Sequence, residues 1–133
     1  MEREHPDAQE AVMELAANCV GVEHVYELLQ RDFTSRLPAV LVRAEQHETA
    51  DVMATHRVQL EVYAPSPPEA RQCARRIVRY LVGGMHATAA GLVDAIRSET
   101  DIRQVEYPAE GVALVLVSVF VDTRLQPRSK SEV

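Results

Sequence analysis

Hydrophobic and polar positions follow two different periods along the chain, and the change of period separates predicted helices from predicted strands. Asp7 and Glu10 have the spacing of a helix-capping pair. After Asp7, apolar residues recur every three or four positions. These apolar positions are Ala8, Ala11, Val12, Leu15, Ala16 and Cys19. The pattern predicts an N-terminal helix. A similar spacing over residues 22–29 also favours helix, although so short a stretch is compatible with extended chain.

Extended chain is predicted after Pro38, because a residue before proline is biased away from the helical region. Residues 39–42 are uniformly apolar and predict a short strand. Val58, Leu60 and Val62 then alternate with polar residues, which predicts a strand with one buried and one wetter face. A polar loop from Glu45 to about residue 54 joins the two strands, and it is longer than a hairpin turn requires.

The strongest local signals in the chain predict a helix from Ser66 to Leu81. Ser66 stands at the N-cap position, Pro67 at the first helical position and Glu69 at the third. A clean apolar stripe follows at Ala70, Cys73, Ala74, Ile77, Val78 and Leu81. The pair Gly83-Gly84 is expected to end the helix.

The C-terminal third is less regular until it reaches a long apolar run. Its segments are predicted as a small, flexible stretch at 85–90, a helical turn or a strand at 92–96, a strand at 102–107, and a turn at 108–111. Residues 112–121 are apolar on both faces, which predicts a central strand covered on both sides. The polar residues from Asp122 onward predict a loose ending.

The order α-β-β-α-β-β predicts a single α+β domain over residues 1–124, followed by a polar tail at 125–133. Its core would be a mixed or antiparallel sheet of about four strands flanked by two helices. A strand buried on both faces needs two covers, and two helices readily cover only one. The second cover would come either from the N-terminal segment or from another subunit.

Composition narrows the classes of function. The 133 residues include 14 Lys and Arg against 20 Asp and Glu, a net charge of −6, and no Trp. A general nucleic-acid binder is disfavoured, because such binding depends on basic side chains and aromatic platforms. Cys19 and Cys73 are far apart and predict free thiols in a reducing compartment. The longest apolar run is about half the ~20 residues of a membrane helix, so a soluble protein without a membrane partner is expected.

Motifs for catalysis, metal binding or cofactor binding are weak or missing from the sequence. There is no GxSxG, and neither cysteine has a histidine beside it. His47, Glu48, Asp51 and His56 fall within ten positions, but their spacing fits no ligand set and favours a solvated loop. Gly83-Gly84 follows a helix, whereas phosphate loops precede one. The sequence therefore predicts a non-enzymatic protein without cofactor or metal.

Four arginines form a basic ridge on the helix predicted from Ser66 to Leu81. Arg71, Arg75 and Arg79 are spaced by four residues, and Arg76 is close by. A solvated flank is favoured over a nucleic-acid face. A third interpretation is an inter-subunit ridge, in which these arginines pair with Glu45, Glu48 and Asp51 of a neighbouring copy.

The order of these segments resembles the tail terminator (tail-to-head joining) proteins of long-tailed bacteriophages. The resemblance covers about Asp7 to Leu125. It is carried by Leu37-Pro38-Ala39-Val40-Leu41-Val42, by His56-Arg57-Val58-Gln59-Leu60-Glu61-Val62-Tyr63-Ala64, by Ser66-Pro67-Pro68-Glu69-Ala70, and by a long apolar strand ending at Asp122-Thr123-Arg124. Its motifs are a strand pattern and a capped helix rather than a catalytic signature.

The resemblance implies a hexameric ring that caps the finished tail tube, ends tube polymerisation and joins the head connector. Implied partners are copies of the chain, the major tail tube protein and the connector, and DNA passes through the ring without specific binding. Six copies at −6 give −36, so an acidic lumen would repel DNA and let it slide. Glu45, His47, Glu48 and Asp51 are candidates for the lumen or a partner interface.

The implied location is the head–tail junction of the virion, after assembly in the host cytoplasm. Two alternatives to a tail terminator stay open from the sequence. One is a head-closure or neck connector protein, and the other is a ferredoxin-like module that binds a small molecule. Binding to tail tubes rather than to heads would distinguish a tail terminator from a neck connector protein. A closed monomer with a ligand pocket would indicate the ligand-binding module.

Overall fold

The structure is a computed structural model, and it describes residues 3–4, 7–19, 24–28, 32–44, 53–99, 101–124 and 126–127. In chain order the strands and helices are β1 (Arg3–Glu4), α1 (Ala8–Ala17), β2 (His24–Tyr26), a 3₁₀ helix (Phe33–Arg36), β3 (Ala39–Ala44), β4 (Met53–Ala64), α2 (Pro67–Leu81), β5 (His86–Thr88), β6 (Gly91–Val93), β7 (Ala95–Ser98), β8 (Arg103–Val105), β9 (Ala113–Arg124) and β10 (Gln126–Pro127). The fold is therefore mixed α+β, as the sequence predicts.

Two long antiparallel strands form the centre of the main sheet. β4 and β9 pair over twelve residues each, from Met53 opposite Arg124 to Ala64 opposite Ala113. The sheet has the strand order β2-β3-β4-β9-β7, and β8 pairs with β9 beyond the end of β7. β2 runs parallel to β3, whereas the other pairings in this sheet are antiparallel. Two smaller pairs, β1 with β10 and β5 with β6, lie outside it.

Both helices begin where the sequence places their caps. The Asp7 carboxylate accepts a hydrogen bond from the Glu10 backbone N–H at 3.1 Å, and the Ser66 hydroxyl accepts one from Glu69 at 3.4 Å. α2 ends at Leu81, just before the glycine pair. The prediction of this helix is confirmed from its cap to its last residue.

The main core lies between the two helices and one face of the sheet. α1 packs on β2, β3 and β4, while α2 packs on β4 and β9, and the two helices also contact each other. The core residues that the helices bury on the sheet include Val42, Leu60, Ile77 and Val117. Because both helices lie on the same side, neither covers the second face of β9.

The second face of the sheet is covered in part by the chain itself. Phe33 of the 3₁₀ helix packs there with Ala39, Tyr63 and Leu114 in a separate buried cluster. The 3₁₀ helix between β2 and β3 thus supplies a cover at one end of this face, rather than the N-terminal segment or another subunit.

The predicted number and order of strands are not confirmed, since six strands of the described residues belong to the main sheet. The helix predicted over 22–29 is wrong at His24–Tyr26, which forms an edge strand. His24 and Tyr26 lie on one face of this strand with stacked rings, while Val25 packs against the main core. Three residues are too few to show a period, so the sequence pattern could not identify the strand.

The other corrections concern the C-terminal third. The stretch predicted as flexible at 85–90 contains the strand β5. For 92–96, the strand is the correct one of the two predicted alternatives, since these residues contribute to β6 and β7. The predicted strands at 102–107 and 112–121 are present as β8 and β9, but β9 continues to Arg124. Beyond it, Gln126 and Pro127 pair with the N-terminal strand β1.

Candidate interaction surface

The side of the main sheet opposite the helices, here called the helix-free face, has an aromatic end and a charged half. At the aromatic end, Phe33, Tyr63 and Tyr107 meet edge to face, with ring centroids 5.0, 5.5 and 6.1 Å apart. Edge-to-face contacts of this kind stabilise beyond the area that they bury. The aromatic end is therefore a second small core rather than a ligand site.

Tyr63 links the aromatic end to the charged residues beside it. Its hydroxyl donates a hydrogen bond of 2.7 Å to the Glu61 carboxylate, which also pairs with Arg43 at 2.8 Å. Burial raises the pKa of Tyr63 above its usual value, and the neighbouring Glu61 raises it further. Tyr63 therefore stays a neutral hydrogen-bond donor at ordinary pH.

The charged half of the helix-free face consists of Arg57, Arg97, Glu99, Phe120 and Asp122. Arg57 Nε lies 2.6 and 2.7 Å from the two carboxylate oxygens of Glu99. The Arg97 guanidinium donates two hydrogen bonds of 2.9 Å to Asp122 and sits 5.3 Å from the centre of the Phe120 ring. Each arginine is thus paired with a carboxylate through charge-assisted hydrogen bonds, and these pairs join β7 and the residue after it to β4 and β9.

The Asp122 carboxylate accepts hydrogen bonds from two different side chains. Besides Arg97, the Thr55 hydroxyl donates to it at 2.8 Å. The hydrogen bonds from Arg97 hold the pKa of Asp122 below its usual 3.8, although partial burial opposes the shift. A carboxyl whose folded pKa is lowered adds stability above the unfolded pKa, and that stability is lost as the pH falls through the folded value.

Replacing Arg97 with glutamine is therefore expected to raise the pKa of Asp122 towards 3.8. The stability difference between wild type and Arg97→Gln should be present at neutral pH and should disappear in acid. The carboxyl carbon of Asp122 can be followed by NMR during a pH titration. Arg124→Gln is the matched control, because Arg124 pairs at 2.9 Å with Asp94 instead. An unchanged Asp122 pKa in Arg97→Gln would contradict the assignment.

The predicted basic ridge is divided between two flanks of α2. Arg71 donates a hydrogen bond of 2.9 Å to Gln104 in β8, and Arg75 lines a groove with Asp101 and Ile102. Helical spacing places Arg79 one turn beyond Arg75, where it is exposed. Arg76 instead lines a groove with Pro38, Cys73 and Glu69 on the other flank. The structure thus brings three of the four arginines to one flank.

The proposed lumen residues Glu45, His47, Glu48 and Asp51 lie outside the described residues, so their role stays a prediction. His56, which was weighed with them as a metal ligand, is in β4 with its Nε2 atom 3.1 Å from the Thr123 hydroxyl. No cluster of three His, Cys, Asp or Glu side chains that could hold a metal ion occurs in the described part of the chain.

Cys19 and Cys73 are both buried, and neither forms a disulfide. Cys19 Sγ lies 3.7 Å from the Arg76 carbonyl oxygen, so it packs against α2. Burial raises the pKa of both thiols, and the positive charge of Arg76 opposes the shift. Buried, protonated thiols are structural side chains rather than nucleophiles.

The sequence alone does not predict that the residues of the charged half lie together. The alternation of Arg57, Gln59 and Glu61 indicates a wetter face of β4, but it does not say which carboxylate faces each arginine. That pairing follows from the register in which Arg57 lies opposite Phe120, and Phe120 opposite Arg97. Register depends on contacts between distant segments, and one sequence does not reveal it.

Comparisons with protein-family models and with curated proteins find no match to the chain. None of the helices among the described residues is long and apolar enough to cross a membrane.

Proposed function

We propose that the chain is a structural assembly protein whose surfaces bind copies of itself and other virion proteins. The observation that carries this proposal is the charged half of the helix-free face, where Arg57 in β4 pairs with Glu99 just after β7, and Arg97 in β7 pairs with Asp122 in β9. Neither helix covers this face of the sheet. Fixed charges on a rigid face favour one partner and one register over others, which is what an assembly interface needs.

Within that class, the proposed protein is the tail terminator of a long-tailed bacteriophage. The segments on which the resemblance rests fold as three consecutive elements: residues 37–42 lead into β3, 56–64 lie in β4, and 66–70 begin α2. In this proposal a hexameric ring caps the tail tube, ends its polymerisation and offers a surface to the head connector. The protein acts without catalysis or a cofactor at the head–tail junction, and DNA passes through the ring.

Tube growth tests the proposed function. Tail tubes purified from the encoding phage, supplied with free tube subunits, are expected to stop lengthening when the full chain is added, because a capped end offers no site for the next subunits. Tube lengths measured by electron microscopy give the result, and heat-unfolded chain is the control. Continued growth would contradict the proposal. Binding to heads but not to tubes would favour a neck connector, and a monomer stabilised by a small molecule would favour a ligand-binding module.

A further inference from the structure

Three of the four exposed large hydrophobic side chains of the described residues lie near two opposite edges of the main sheet, and the fourth, Tyr80, lies on α2 one turn beyond Arg76. Leu28, 74% exposed, follows the edge strand β2. Val82 and Met85, 41% and 65% exposed, follow α2. Gly83 between them exchanges two backbone hydrogen bonds with Ile96 in β7, which is at the other edge of the sheet. Both edges of the sheet therefore carry apolar side chains that are exposed to solvent.

The edge that includes β7 and β8 is also basic. The α2 flank with Arg71, Arg75 and Arg79 overlooks it, as the hydrogen bond from Arg71 to Gln104 shows. The side chains of Arg75 and Arg79 form no hydrogen bond or ion pair with another described residue, although Asp101 lines the groove beside Arg75. We call Arg75, Arg79, Val82 and Met85 the basic edge.

The opposite edge carries two exposed carboxylates, and the arginine beside it, Arg36, is paired with Asp32. α1 packs over β2 and β3, and its sequence, AQEAVMELAA, contains no lysine or arginine. Glu10 on α1 is exposed, and so is Glu27, which directly precedes Leu28. Neither carboxylate is paired with a described residue. We call Glu10, Glu27 and Leu28 the acidic edge.

We infer that the basic edge of one copy packs against the acidic edge of the next copy. The occupant is a second copy of this chain, because one molecule carries both complementary charges and an apolar centre on each side. Two basic edges facing each other would repel, so a symmetric pair through either edge is disfavoured. A contact between two different patches is head to tail, and its repetition gives a ring when the rotation between neighbouring copies closes.

This inference rests on the proposed ring function and adds to it which surfaces join neighbouring subunits. Arg76 of the predicted ridge does not belong to this contact between subunits, because it lies on the other flank of α2. The charged half of the helix-free face is then left free for a different partner, such as the tube or the connector.

Charge exchange between the two edges tests the inference. The first variant carries Arg75→Glu and Arg79→Glu, and the second carries Glu10→Lys and Glu27→Lys. Each variant alone should associate at least tenfold more weakly than wild type, because both of its edges then have one sign. An equimolar mixture should associate again in alternating order, since every contact in it joins opposite charges. Glu110→Lys is the control and should behave like wild type, because Glu110 is exposed in the turn between β8 and β9 and belongs to neither set of edge residues.

Sedimentation of the full chain at low salt measures the association, and circular dichroism verifies that each variant is folded. Variants that associate as well as wild type, or a mixture that does not recover, would overturn the inference. If wild type stays monomeric even at high concentration and with tail tubes, the inference and the ring function both fail. If it associates through the two edges but does not stop tube growth, the inference stands and the proposed function fails. If it stops tube growth whatever the edge charges are, the function stands and the inference fails.

Discussion

Leu60→Ala is expected to lower the free energy of unfolding by about 2–5 kcal/mol. Leu60 is fully buried in β4, opposite Val42 on one neighbouring strand and Val117 on the other. Its removal leaves a cavity in the layer between the sheet and both helices. Because the flanking ladder of twelve residue pairs holds the strands in place, the cavity cannot close easily.

Leu28→Ala is the matched control for this substitution. It makes the same chemical change at a side chain that is 74% exposed, and we expect a change within about 0.5 kcal/mol. Urea unfolding at low protein concentration, where neighbouring copies do not contribute, measures both variants. Equal losses in the two variants would contradict the assignment of the core.

Phe33→Ala is expected to cost about 3 kcal/mol of unfolding free energy, towards the lower end of the range for buried aromatic residues. Phe33 belongs to the short 3₁₀ helix and touches the rings of Tyr63 and Tyr107. Without it, water reaches Tyr63, so the raised pKa of that hydroxyl should fall towards 10.

Urea unfolding gives the stability of Phe33→Ala, and ultraviolet absorbance during an alkaline titration follows the tyrosines. Thr34→Ala is the control, because Thr34 is exposed in the same 3₁₀ helix. A loss of stability no larger than that of Thr34→Ala would mean that the 3₁₀ helix does not cover the second face of the sheet.

The sequence predicts those parts of the fold that depend on local signals. Ser66 and Pro67 define the start of α2, and the alternation around Leu60 defines β4, because caps and periods are properties of neighbouring residues. The sequence does not predict β2, because this three-residue edge strand depends on its pairing with β3 rather than on a pattern of its own.

The interaction surface is less predictable than the fold for the same reason. The spacing of Arg71, Arg75 and Arg79 already indicates one flank of a helix. The pairing of Arg97 with Asp122 arises from the register of β7 on β9, and the opposition of the two sheet edges arises from the strand order. Both are properties of the assembled sheet.

We propose that copies of this domain join around an axis on the end of a tail tube. Electron microscopy of the full chain mixed with purified tail tubes should therefore show six-fold density at one end of each tube. Bare tube ends, with the chain still sedimenting as a monomer, would contradict it.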